Sequence, residues 1–111
     1  MPKREYLSQL ELMVMFAILR KRHEAYGVPI AREIEDKSGR EIALASIYAA
    51  LERLQAKGLV TSSLGEPSAK RGGKARTYFT VTNAGLRELR STHETLTRLS
   101  FGLKEIEVGS S

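Results

Sequence analysis

The sequence predicts a mainly α fold of the α+β class: three helices, a two-stranded β hairpin and one last helix. Three observations predict it. Apolar residues recur at three- and four-residue spacing in four separate stretches. Glycine or proline stands at the joints between them. A basic, glycine-containing segment, residues 65–74, separates two short runs rich in strand formers. At 111 residues the chain has the length of one domain and can bury one core.

The first helix is expected over about residues 7–22. Leu7, Leu10, Val14 and Ile18 fall on one face, while Leu12, Met15, Phe16 and Leu19 occupy much of the remaining circumference. A helix apolar nearly all round needs cover on more than one side. The chain's own core covers one side, and the other points to a partner subunit. Tyr26-Gly27 breaks the chain, and Pro29 suits the first turn of a second helix, where its missing N–H is harmless. Ile30, Ala31 and Ile34 give that helix a modest stripe, and Gly39 caps its end.

A third helix is expected over residues 44–57, with Ile47, Leu51 and Leu54 spaced four and three apart and Gly58 as its left-handed stop. Residues 59–64 and 75–81 read as strands. In the second, Thr77, Phe79 and Val81 share one face, and Arg76, Tyr78 and Thr80 the other. Thr82 caps a last helix from Asn83, which carries Leu86, Leu89, Leu96 and Leu103. Leu89, Leu96 and Leu103 repeat every seven residues, but Leu86, His93 and Ser100 do not sustain a long coiled coil. Residues 108–111 are expected to fray. Residues 1–82 thus read as a winged helix-turn-helix domain. Residues 83–111 read as a C-terminal dimerisation helix and tail within the same compact unit.

Charge narrows the function. The net charge is +5, and four cations against one acid in residues 66–76 place +3 of it in one short stretch. A localised basic patch points to a polyanion. Cysteine is absent, which excludes disulfide scaffolds, thiol catalysis and cysteine-bound zinc. Two histidines, His23 and His93, do not make a metal site. The glycines of residues 65–74 are mis-spaced for a phosphate-cradling loop, and Ala75 stands where Ser or Thr is required. Neither a Gly-x-Ser-x-Gly elbow nor His-Glu-x-x-His occurs. No catalytic residue, metal or cofactor is expected. Glu33, Glu35 and Asp36, beside Arg32 and Lys37, read as a solvated face. The apolar run over residues 12–19 is too short for a membrane span and is followed by Arg20-Lys21-Arg22 rather than a cleavage site, so a cytoplasmic protein without a membrane partner is expected.

Three helices followed by a hairpin with a basic tip suit groove reading, in which one helix enters the major groove and neighbouring elements hold phosphates. The third helix is the reading helix. Winding it at 100° per residue buries Leu44, Ile47, Leu51 and Leu54. Ala45, Ala49, Glu52, Arg53 and Ala56 then lie opposite, with Ser46 and Tyr48 on the flanks. Alanines let the axis approach the bases, or simply favour helix. Ser46 and Tyr48 are placed to donate to phosphates or base edges, with packing as the other role open to Tyr48. Arg53 has phosphate, guanine or a neighbouring Glu within its range. Lys70, Arg71, Lys74 and Arg76 supply phosphate contacts from the wing, or else guard an exposed hairpin against pairing with other strands.

These residues carry a family resemblance over about residues 7–100. Leu10-Glu11-Leu12, Ala25-Tyr26-Gly27, Ser46-Ile47-Tyr48-Ala49-Ala50-Leu51-Glu52-Arg53-Leu54, Lys57-Gly58-Leu59-Val60 and Tyr78-Phe79-Thr80-Val81-Thr82-Asn83-Ala84-Gly85 follow in order. The sequence resembles the PadR-like transcriptional regulators, in particular their small subgroup with one C-terminal helix. The resemblance implies a homodimeric repressor that binds double-stranded DNA, and the two-fold symmetry of such a dimer predicts an inverted-repeat operator. Its dimer would be built by the first and last helices, here through Leu12, Met15, Phe16, Leu89, Leu96 and Leu103. Some members release DNA on binding an aromatic or drug-like ligand, so a small-molecule effector of unknown identity is implied too. Two departures stand out: Ala43 and Ala45 replace the Ser and Gly frequent at the start of the reading helix, and tryptophan is absent. The competing readings are a winged-helix protein-interaction module and a non-specific nucleic-acid binder.

Overall fold

The computed structural model describes residues 6–66, 72, 73 and 75–110, without the side chains of 108–110. Helix α1 (Gln9–Lys21) opens on Ser8, whose hydroxyl accepts the Glu11 N–H while the Glu11 carboxylate accepts the Ser8 N–H. This reciprocal box starts the helix two residues later than expected. A 3-10 turn (Arg22–Glu24) leads to α2 (Gly27–Ser38), which ends at Gly39 with φ +71°. Helix α3 (Leu44–Ala56) follows, and Gly58, at φ +74°, turns the chain into β1 (Val60–Leu64). Strand β2 (Thr77–Val81) pairs antiparallel with β1, Val60 opposite Val81 and Leu64 opposite Thr77. Helix α4 (Asn83–Ser100) is capped by the Thr82 hydroxyl, which accepts from the Gly85 N–H at 3.0 Å.

The last helix departs from expectation. Phe101 is extended and Gly102 takes φ +72°, so the chain breaks and restarts as α5 (Leu103–Ser110). The heptad spacing of Leu103 belongs to the sequence but not to one continuous helix. The backbone expected to fray from residue 108 is helical to Ser110.

The core draws on α1 to α4 and both strands. Val14, Met15 and Ile18 of α1 meet Ile30 and Ile34 of α2, and Ile47, Ala50, Leu51 and Leu54 of α3. Val60, Phe79, Val81 and Leu89 close it from the hairpin and α4. Burying one such aliphatic side chain contributes about 1.5–3 kcal/mol. Of the face that Thr77, Phe79 and Val81 share, Phe79 and Val81 are buried and Thr77 is exposed. Gly85 lets α4 rest on the loop before β1, since a Cβ there would collide with the Leu59 carbonyl and Val81. The far end of α4, with α5, projects from the body. The radius of gyration is 16.6 Å, against about 13 Å for a compact chain of similar length.

Candidate nucleic-acid interface

Helix α3 sits with one face in the core and the other bare. Ala45, Ser46, Tyr48, Ala49, Glu52, Arg53 and Ala56 are all exposed, and Ile47, Ala50, Leu51 and Leu54 are buried. Leu44, expected inside, is exposed, because it lies in the first turn ahead of Ile47, the first α3 residue in the core. No side chain caps α3 at Ala43, in keeping with the missing serine. The Ala43 carbonyl takes the Ser46 N–H at 2.9 Å in place of a side-chain cap.

Tyr48 is 43% exposed, and packing accounts for part of its surface. Its hydroxyl end lies against Gly27, where a Cβ would collide with it. Arg53 brings Nε to 3.7 Å from Glu11 Oε2, so the carboxylate it meets belongs to α1 rather than to its own helix. Glu11 is 3% exposed. Burial pushes its carboxyl up, but the hydrogen bonds from Ser8 and Lys57 outweigh this and hold it below the ordinary value. The Ser8-Gln9-Leu10-Glu11 spacing announces the capping box. The long-range partner, Lys57, has no local signal.

On the wing, Lys70, Arg71 and Lys74 lie outside the described residues. Arg76 is described, and it is engaged: its guanidinium carbon stands 4.2 Å from the centre of the Tyr26 ring. The Tyr78 ring meets the same Tyr26 edge-on, with centroids 5.6 Å apart. The far half of the ribbon and the start of α2 thus form one aromatic cluster, which charge counting along the sequence does not reveal.

Glu33 corrects the reading of α2 as a solvated face. It is buried, and Lys37, Arg20 and Lys21 bring nitrogens within 2.8, 3.0 and 3.3 Å of its carboxylate. The Lys37 hydrogen bond leads in lowering its pKa to about 2, against an opposing push from desolvation. Lys37 at i+4 was the available signal. Beside this cluster a hollow of about 180 Å³ opens between α1 and α2 over Met13, Phe16, Ala17 and Ile34. Among the described residues, no cluster of three or more His, Asp or Glu side chains could hold a metal, and no helix is long and apolar enough to cross a membrane.

The residues expected between subunits divide. Met15 and Leu89 are 0% and 4% exposed in the single chain, so their apolar surface is already used by its own core. Leu12 is partly buried against that core. Phe16, Leu96 and Leu103 are exposed, the last two at 51% and 53%. Leu99, Phe101 and Ile106, not singled out from the sequence, extend the same bare apolar surface along α4 and α5.

Comparison with known proteins agrees on one group. The profile described as the transcriptional regulator PadR-like family matches residues 15–91. The chain is similar to a PadR family transcriptional regulator from Eggerthella lenta, at 28% identity and TM-score 0.67, covering 85% of this chain and 80% of that one. A PadR-like transcriptional regulator from Bacillus cereus has a similar fold, at 23% identity and TM-score 0.72, covering 87% and 89%. So has a transcriptional regulator from Clostridium thermocellum, at 20% identity and TM-score 0.69, covering 86% and 87%. A search of curated protein sequences finds no match.

Proposed function

The chain belongs to the PadR-like family of DNA-binding transcriptional regulators, and from that premise we propose that it is a homodimeric repressor acting in the cytoplasm on an inverted-repeat operator, with no catalytic role. One observation carries the reading: α3 presents an unbroken exposed face of small and polar residues, Ala45, Ser46, Tyr48 and Ala49, next to a projecting hairpin. Small side chains let a helix axis approach base edges, and the hydroxyls of Ser46 and Tyr48 can donate to phosphates or bases. Arg53, half-exposed beside Glu11, is assigned to phosphate at the groove edge. Lys70, Arg71 and Lys74 supply sequence-independent phosphate contact from the wing. The bare apolar surface of Phe16, Leu96, Leu99 and Leu103 supports a second copy as partner.

Selection from a random library of duplexes tests this. An inverted repeat should be enriched, with half-site centres separated by about 34–36 Å or a multiple of it. Inserting about five base pairs turns one half-site by roughly half a turn and should reduce binding to the level of random DNA. A reporter promoter carrying the enriched site should be silenced. Unchanged affinity after the insertion would defeat the dimeric reading. No enrichment, with no affinity for duplex DNA at physiological salt, would favour a protein-interaction module instead.

A further inference from the structure

We propose that residues 25–27 set the angle between the wing and the reading helix, with Tyr26 as a positioning residue and Arg76 held on its ring rather than left to reach phosphate. Ties from both sides converge on these three residues. From the wing, the Phe79 N–H donates to the Ala25 carbonyl at 2.8 Å. Arg76 lies over the face of the Tyr26 ring and Tyr78 meets it edge-on at 74°. From the reading helix, the Tyr48 hydroxyl end rests on Gly27 at a distance that leaves no room for a methyl group.

Tyr26 is suited to this work. It is the residue before α2, in extended conformation, and its side chain caps nothing. The ring is therefore free to act as a platform, and a planar guanidinium stacks well on such a face. Arg76 is fixed at both ends: its carbonyl accepts the Gly65 N–H at 2.7 Å and closes the far end of the ribbon. Tyr78 occupies the space a Gly65 side chain would need, so the same cluster spans both strands.

The wing needs such a fixture. In β1 only Val60 is buried, and the other four residues are exposed. A five-residue strand is roughly 17 Å long, so a rotation of about 10° at its base moves its tip by about 3 Å. That displacement equals the length of a hydrogen bond to phosphate. Two elements must meet one duplex at the same time, and residues 25–27 are where both are anchored.

The test rests on the DNA-reading assignment in only one of its two readouts. The chain has no cysteine, so Glu52→Cys on α3 and Ser63→Cys on β1, both at exposed positions, allow spin-label distance measurement without DNA. Labelled chain is diluted with unlabelled chain to isolate the distance within one copy. One narrow distance is expected for the parent and for Tyr26→Phe, which keeps the ring. Tyr26→Ala and Arg76→Gln should broaden it. In unlabelled protein, Tyr26→Ala should lower the preference for the library-enriched duplex over random duplex about tenfold, and Tyr26→Phe should restore it. An unchanged narrow distance in Tyr26→Ala would overturn the proposal, as would broadening in Tyr26→Phe equal to that in Tyr26→Ala. If Tyr26→Ala does not fold, Arg76→Gln decides alone. An unchanged distance with equal weakening on all duplexes would make Arg76 a phosphate ligand and refute the proposal. Broadened distances in a protein whose parent enriches no duplex would uphold the coupling and refute the DNA reading.

Discussion

Glu11 and Lys57, 46 residues apart, meet at 2.9 Å, joining the first turn of α1 to the residue that ends α3. The same carboxylate accepts the Ser8 N–H at 2.7 Å. One buried acid therefore completes the cap of α1 and ties it to the end of α3. Glu11→Ala removes a cap and leaves Lys57 without this partner, and should lower stability by about 1–3 kcal/mol in a urea titration. Glu11→Gln keeps an acceptor for Ser8 and should cost less.

Acid should loosen the α1–α2 contact. The Glu33 carboxyl, ordinarily near 4.5, is held at about 2 in the folded chain. The unfolded chain takes up that proton first, so the stabilisation is complete above about pH 4.5 and is lost as pH falls towards 2. Glu11, lowered as well, acts in the same direction. Thermal unfolding followed over this window should decline less steeply in Glu33→Gln than in the parent. Parallel curves would mean that the three cations around Glu33 do not act on folding.

Gly85→Ala should be among the most damaging small substitutions. The added methyl meets a backbone carbonyl, Leu59, and a buried valine, so neither neighbour yields cheaply. A loss of about 2–4 kcal/mol is expected by denaturant titration. Gly39→Ala meets nothing and faces only its positive φ, so it should cost about 1 kcal/mol.

Two leucines seven residues apart should behave differently. Leu89→Asp places a charge in the chain's own core and should prevent folding. Leu96→Asp changes an exposed side chain, so the chain should stay folded by circular dichroism and sediment as a monomer while the parent sediments as a dimer. A parent that sediments as a monomer at micromolar concentration would end the dimer proposal.

Replacing Lys70, Arg71 and Lys74 together by Ala should weaken binding to the enriched and random duplexes nearly equally. The slope of log affinity against log salt should fall by about 0.9 for each phosphate no longer neutralised. An unchanged slope would remove the wing from the interface.

Much of this architecture was legible because local rules governed it. Gly39 and Gly58 stop helices by positive φ, Thr82 caps α4, and a 100° winding gave the bare face of α3 with Leu44 as its one error. What resisted depended on distant neighbours. Periodicity marks Met15 and Leu96 alike as apolar, and only the packed chain distinguishes which one its own core consumes. Arg76 counts as a wing cation until Tyr26, fifty positions away, is beneath it. Glu33 looked solvated because two of its three partners belong to another helix. The break at Gly102 was hidden by a leucine that kept its seven-residue spacing across it.

The exposure of β1 beyond Val60 also bears on how such a protein changes over generations. Residues 61–64 owe nothing to the core, so substitution there meets little stability selection. Lengthening the connection beyond them is nearly as free, since doubling a loop costs only about 0.6 kcal/mol in closure entropy. Helix α3 has no such latitude, because Ile47, Ala50, Leu51 and Leu54 are core. Under the proposed function, a lineage can therefore raise or lower its overall grip on the DNA backbone through charge at the ribbon, mutation by mutation, at little cost to the fold.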